Sequence, residues 1–229
     1  MFLIEGNNAV SAALDVGFPI RALLCDESET QLSERALDQG ISVRRATSAI
    51  TAYAGEAQSS LPVLALGEIP ATKNEEFPDF TLVLDGISDP GNVGTLWRAA
   101  DAAGARGVLS SGGADPFSPK VVRSAAGSTF HLPPLGKDET AKTLISRLKS
   151  QNIPIICAQA HQGESCFHFL WPERAALVLG HETRGISEEL SEAADFRVSI
   201  PIFGRAESLN AAMAGTVLLY SWAQSRGIK

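Results

Sequence analysis

The sequence predicts an α/β fold, a mostly parallel sheet with helices on both faces, preceded by a small α/β domain. Three observations predict it. From residue 80 onward, short apolar runs alternate with longer segments of helical period, as in a parallel sheet covered on both sides. The runs TLVLD, AALVLG and FRVSI each end in a polar, glycine-bearing loop that leads into a helix. A proline- and charge-rich stretch at 71–79 separates this part from a shorter α/β pattern before it.

Within residues 1–70, positions 8–17 have the apolar spacing of a short helix. Residues 20–25 (IRALLC) read as a strand, and 33–40 as a helix closed by Gly40. Residues 41–43 and 61–66 supply two more strands, and 71–79 form the linker to a second domain at 80–229. In that domain, strands at 82–85, 107–110, 153–158, 176–180 and 197–200 alternate with helices at 96–103, 119–127, 140–151 and 209–224. Ser208 is placed to cap the last helix, which carries the apolar stripe Leu209, Met213, Val217, Tyr220. Asn210 then falls in its first turn. The small residues Ala211, Ala212, Ala214 and Gly215 suit a close helix interface.

With 229 residues, 45% of them hydrophobic and 20% charged, the chain is long enough for a sizeable core. No apolar run approaches the roughly 20 residues that span a bilayer, and the N-terminus has no basic cluster of a signal or transit peptide. Three cysteines without a CxxC form no disulfide framework, which fits a reducing, cytoplasmic setting. The net charge of −7 argues against indiscriminate nucleic-acid binding. It is unevenly spread: residues 1–75 carry 5 Lys+Arg and 10 Asp+Glu, whereas 76–229 carry 14 and 16. A local basic patch is compatible with the second part.

In open α/β sheets, ligands bind outside the carboxyl ends of the strands, and three polar loops at three such ends are expected to converge on one pocket. The first, ISDPGNVGTLWR at 87–98, is neither a GxGxxG fingerprint nor a P-loop. It brings Asn92 and Arg98 to a strand-to-helix turn, where a guanidinium suits a phosphate or carboxylate. Cys157, His161, Cys166 and His168 lie within twelve residues, but their spacing matches no common zinc module, so no metal is expected. His131 and His181 have no evident Ser or Asp partnership. Trp97, Trp171 and Trp222 form no stacking ladder.

Together, these stretches resemble the SpoU (TrmH-like) branch of the SPOUT RNA methyltransferases, over about residues 80–224. The likeness rests on Asn92-Val93-Gly94 through Arg98 to Ala99, Ala102 and Gly104, and on 179–187 (LGHETRGIS). It also rests on Ile200-Pro201-Ile202 with Gly204 and Ser208-Leu209-Asn210, and on 117–127 (FSPKVVRSAAG) between the first two motifs. The resemblance implies a C-terminal trefoil knot, a homodimer and S-adenosylmethionine as cofactor. It places that cofactor against Leu179, Gly180, Ile200 and Leu209, with Ala158 and Gln159 adding to the wall. It implies methyl transfer to a ribose 2′-hydroxyl of structured RNA, ribosomal RNA before transfer RNA, with Arg98 in a combined polarising and proton-transfer role. Asn92, Glu182, Ser208 and Asn210 match the family's other polar site positions. Lys120, Arg123, Arg184 and Arg205 lie on or beside the motif loops as a phosphate track. Residues 1–70 resemble the ribosomal-protein-like substrate-binding module of many family members. Two other readings stay open: a non-catalytic RNA-binding relative, and an unrelated α/β nucleotide-binding enzyme, which predicts ATP or NAD binding instead.

Overall fold

A computed structural model describes residues 1–56, 61–70, 76–136 and 139–227. The expected linker at 71–79 falls partly on residues 71–75, outside the described residues. The chain opens with β1 (Phe2–Glu5), α1 (Asn7–Asp15), β2 (Ile20–Cys25), α2 (Thr30–Asp38), β3 (Ser42–Arg45), α3 (Ser48–Ala54) and β4 (Val63–Gly67). These strands form a mixed sheet in the order β1-β4-β2-β3, with β4 antiparallel to both neighbours and β2 parallel to β3.

A second sheet follows. Its elements are β5 (Phe80–Asp85), α4 (Pro90–Ala102), β6 (Gly107–Ser111), α5 (Pro119–Ala125), α6 (Ser128–His131) and α7 (Ala141–Ser150). They continue with β7 (Ile155–Ala158), β8 (Glu164–Ser165), β9 (Ala175–Gly180), α8 (Glu188–Glu192), β10 (Phe196–Ser199) and α9 (Ala211–Ser225). The strand order is β6-β5-β9-β7-β10-β8, and every pairing is parallel. The expected α/β architecture with a mostly parallel sheet is therefore present.

The apolar runs form central strands because both sheet faces are covered, so a strand gains by being apolar at every position. All six residues of β5 are buried. Leu82 and Leu84, in register with Leu177 and Leu179 of β9, pack into the core under α4 and α9. Val83 and Val178 point the other way, into a core closed by Leu144 and Leu148 of α7 and Leu190 of α8. Leu96 and Trp97 of α4 are fully buried, and Trp97 Nε1 donates to the Leu132 carbonyl at 2.7 Å. Each large side chain buried in this way contributes about 1.5–3 kcal/mol of transfer free energy. Gly94 lets α4 and α5 approach closely: a Cβ there would overlap the Val121 carbonyl and the Ser124 hydroxyl.

The core under the small sheet is completed from later in the chain. Phe117, Val122 and Phe130 pack with Phe2, Val10, Phe18 and Leu23. The Phe2 ring lies 4.8 Å from that of Phe117, and Phe18 lies 4.9 Å from Phe130. At the same junction, Arg123 of α5 forms an ion pair with Glu5 of β1, whose side chain is wholly covered. This placement separates Arg123 from the expected phosphate track, because its guanidinium is occupied by a buried carboxylate.

The last helix differs from its sequence reading in three ways. Its cap is Asn210, not Ser208: the Asn210 Oδ1 accepts the N–H groups of Ala212 (2.9 Å) and Met213 (3.3 Å). Asn210 is therefore not in the first turn. Met213 and Tyr220 of the expected stripe face outward, 65% and 52% exposed, and Leu209 precedes the helix, also exposed. The buried side holds Ala212, Gly215, Leu218, Leu219 and Trp222. Gly215 has no room for a Cβ against Leu96 and Leu179, so Gly215 and the buried Ala212 pack inside this chain. Trp222 stacks on Phe80, with centroids 3.9 Å apart. β1, α3, α6, β8 and α8 also form without having been expected.

Candidate active site

The carboxyl ends of β7, β9 and β10 open on a cavity of about 560 Å3, within the usual range of small-molecule pockets, about 300–1,000 Å3. Ala158 ends β7 and Gln159 follows it, Leu179 and Gly180 end β9, Ile200 follows β10, and Leu209 precedes α9; all six line the cavity. Five of these come from strand ends because a parallel sheet delivers its loops to one edge. The walls combine aliphatic side chains with exposed backbone, which suits a flat heteroaromatic ring held by its edge. Gly180 is obligatory here: a Cβ would overlap the backbone of Gly185 and Ile186, where the loop after β9 folds back. That loop closes on itself through paired His181 and Gly185 backbone hydrogen bonds of 3.0 and 2.9 Å.

Beside the cavity runs a directional chain of polar side chains. The Asn210 Oδ1 is used by the α9 N-terminus, so its Nδ2 is the end free to donate, and it reaches Asn92 Oδ1 at 3.1 Å. This fixes the Asn92 amide, whose Nδ2 donates to Glu182 Oε1 at 2.9 Å. Asn92 is itself placed by the start of α4, where Asp89 caps the helix by accepting the Asn92 N–H at 2.8 Å and Pro90 takes the first helical position. Burial pulls the Glu182 carboxyl upward, but hydrogen bonds from Asn92 and nearby backbone outweigh it, so its pKa lies below its ordinary value. Glu182 is thus an ionised acceptor at neutral pH and a poor source of protons.

The comparisons with known proteins bear on this arrangement. The SpoU rRNA Methylase family matches residues 79–220. The chain belongs to that family. A 23S rRNA (uridine(2479)-2'-O)-methyltransferase of Streptomyces viridochromogenes is 35% identical over 98% of this chain and 83% of its own length. The 23S rRNA (guanosine(2553)-2'-O)-methyltransferase RlmP of Bacillus subtilis is 32% identical over 96% and 87%. Among solved structures, the SpoU methyltransferase AviRb of Streptomyces viridochromogenes, in complex with AdoMet, superposes with a TM-score of 0.87 at 30% identity, covering 99% of this chain and 91% of that one.

Of the site residues expected from the SpoU resemblance, the six cofactor positions line the cavity together with Glu182, Ser208 and Asn210. Asn92 lies at its edge, bonded to both Glu182 and Asn210. Arg98 stands apart, exposed on α4; among the described residues it makes no hydrogen bond or ion pair. Lys120, Arg184 and Arg205 are likewise exposed and outside the cavity lining. Residues that sequence reasoning passed over also shape the site. His181 Nδ1 accepts the Thr183 N–H at 3.1 Å, and Asp85 binds the far end of the same loop. A carboxylate closing the otherwise apolar strand FTLVLD was the available signal for Asp85.

Among the described residues, no three His, Cys, Asp or Glu side chains gather as a metal site, and no helix is long and apolar enough to cross a membrane. Cys157 is buried, and burial pushes its thiol pKa up to about 12; His161 and His168 are exposed.

One consequence is direct. Gly180→Ala is expected to weaken S-adenosylhomocysteine binding at least tenfold, because the new methyl group displaces the loop backbone. Calorimetric titration checks this, and undiminished binding would remove Gly180 from the pocket wall.

Proposed function

We propose that this protein is an S-adenosylmethionine-dependent methyltransferase acting on a ribose 2′-hydroxyl in ribosomal RNA. The observation that carries the reading is the Asn210–Asn92–Glu182 chain at the mouth of a cavity built on strand ends. Membership of the SpoU family and the 23S rRNA activities of the two relatives support it. The residues present fit the cofactor: backbone and aliphatic side chains at Leu179, Ile200 and Leu209 suit adenine, and Gly180 leaves the space.

When bound, S-adenosylmethionine supplies an activated methyl group on a sulfonium. The protein's own residues prepare the oxygen that receives it. Arg98 lies about 9 Å along α4 from Asn92, at the usual helical rise, and its exposed guanidinium, without a hydrogen bond or ion pair among the described residues, is available to the ribose. It keeps its proton at ordinary pH, so it polarises the hydroxyl and stabilises the developing alkoxide while the hydroxyl proton passes to solvent water. Asn92, held by Glu182 and Asn210, fixes the geometry of the mouth. Lys120, Arg184 and Arg205 hold phosphates, and residues 1–70 form the substrate-binding module beside the 80–229 methyl-transfer domain. Mapping ribose methylation in ribosomal RNA from cells with and without the gene tests the reading. An unchanged pattern would refute it.

The same reading includes a cytoplasmic location, a homodimer and trefoil threading of the C-terminal segment. The sheet order supports the threading: the chain runs from edge strand β8 to central β9, out to β10, then back to α9, which packs on α4. The dimer is supported by the outward apolar side of α9, Met213 and Tyr220, with Leu209 and Phe203 exposed before it. Light scattering should give a dimer at micromolar concentration, and Met213→Glu with Tyr220→Glu should give monomers of low activity. A fully active wild-type monomer would exclude this assembly.

A further inference from the structure

We propose that Asp85 is a positioning residue for the cofactor pocket, its carboxylate holding the 181–187 loop in the shape that lines the cavity. The inference rests on the assignment of that cavity to S-adenosylmethionine. Asp85 is the last residue of β5, 8% exposed and in register with Gly180. Its Oδ2 accepts the backbone N–H of Ser187 at 2.6 Å, across 102 positions of sequence. A charged acceptor facing a backbone N–H in a covered site forms a short, strong bond.

The loop that this bond closes supplies Gly180, His181, Glu182, Thr183, Gly185 and Ile186 to the cavity wall. The loop is fastened to the β5–α4 segment at two places. Near its start, Glu182 receives Asn92 Nδ2 and, at 3.5 Å, the Ser88 hydroxyl. At its end, Ser187 is bound to Asp85. Among the described residues, the loop is otherwise organised by the His181–Gly185 pairing and the His181 side chain. Asp85 is not itself part of the cavity lining, so it acts through the loop backbone. The last residue of β5 thus ties the first motif to the second independently of the polar chain at Asn92.

The test titrates S-adenosylhomocysteine into the full chain as wild type, Asp85→Ala and Asp85→Asn, with circular dichroism to confirm folding. Asp85→Ala should bind about tenfold more weakly, the scale of one charge-assisted hydrogen bond. The KM for S-adenosylmethionine should rise about as much while saturated turnover stays within about twofold. Asp85→Asn keeps an oxygen acceptor and should recover binding to within about threefold. A carboxylate needed only for stability would lower Tm yet leave the Kd of folded Asp85→Ala unchanged, and that result overturns the proposal. In wild-type protein the Ser187 amide should exchange slowly by NMR; rapid exchange overturns the arrangement without recourse to a variant. Wild-type protein that binds no S-adenosylhomocysteine would overturn the cofactor reading as well, which separates that failure from one confined to Asp85.

Discussion

Arg98→Ala is expected to slow single-turnover methylation by roughly a hundredfold or more, the scale of losing a positioned charge-stabilising group. S-adenosylmethionine affinity should barely change, because Arg98 does not line the cavity. Arg98→Lys should not restore turnover, since lysine keeps the charge but loses the planar fork. The contrary expectation is well defined. An exposed helix arginine without a partner among the described residues ordinarily alters stability by no more than about 0.5 kcal/mol when removed. Turnover measured on the true RNA, alongside cofactor titration and thermal melts, decides between them. Near-normal turnover in Arg98→Ala would end the catalytic assignment.

The second large effect concerns stability. Arg123→Ala should lower the unfolding free energy by about 3 kcal/mol, because it leaves the Glu5 carboxylate buried without its partner. The two ends of the pair are not equivalent: the Glu5 side chain is fully covered and that of Arg123 is 29% exposed. The cost therefore comes from the carboxylate. A double variant, Glu5→Leu with Arg123→Leu, should recover much of the loss, since an apolar pair has no charge to desolvate. Urea titration of the single and double variants at neutral pH checks both statements. A loss below about 0.5 kcal/mol in Arg123→Ala would place the pair with ordinary surface ion pairs and return Arg123 to the phosphate track.

The strands that build the site were legible because burial on both faces leaves a continuous apolar run: TLVLD, AALVLG and FRVSI all mark strands of the second sheet. The six cofactor positions followed from the resemblance and converge on one cavity. What escaped had physical reasons. β1 is four residues long and ends in Glu5, a carboxylate that reads as surface until its partner, 118 positions later, is in place. β8 has two residues and no periodicity to detect. Ser208 and Asn210 are both competent caps, and only the path of the chain selects between them. The last helix is apolar on two sides, with Leu218, Leu219 and Trp222 on one and Met213 and Tyr220 on the other. Periodicity cannot say which of two apolar sides turns inward. Asp85 and Arg123 were misread or passed over for the same reason, because the role of a buried charge is set by what faces it.

The aromatic cluster of Phe2, Phe18, Phe117 and Phe130 has a consequence for cooperativity. The small sheet and the large one are distinct in hydrogen bonding, yet neither closes its apolar surface without the other. Severing the chain between residues 70 and 79 would strip Phe117, Val122 and Phe130 of their cover and leave α1 and β1 facing water. The isolated second half would then carry a sticky aromatic face, and the isolated first half would lack part of its interior. Calorimetry of the intact chain should accordingly show one melting transition rather than two. The helix α4, which carries Asn92 and packs on α5 through Gly94, would share its thermal fate with the N-terminal sheet.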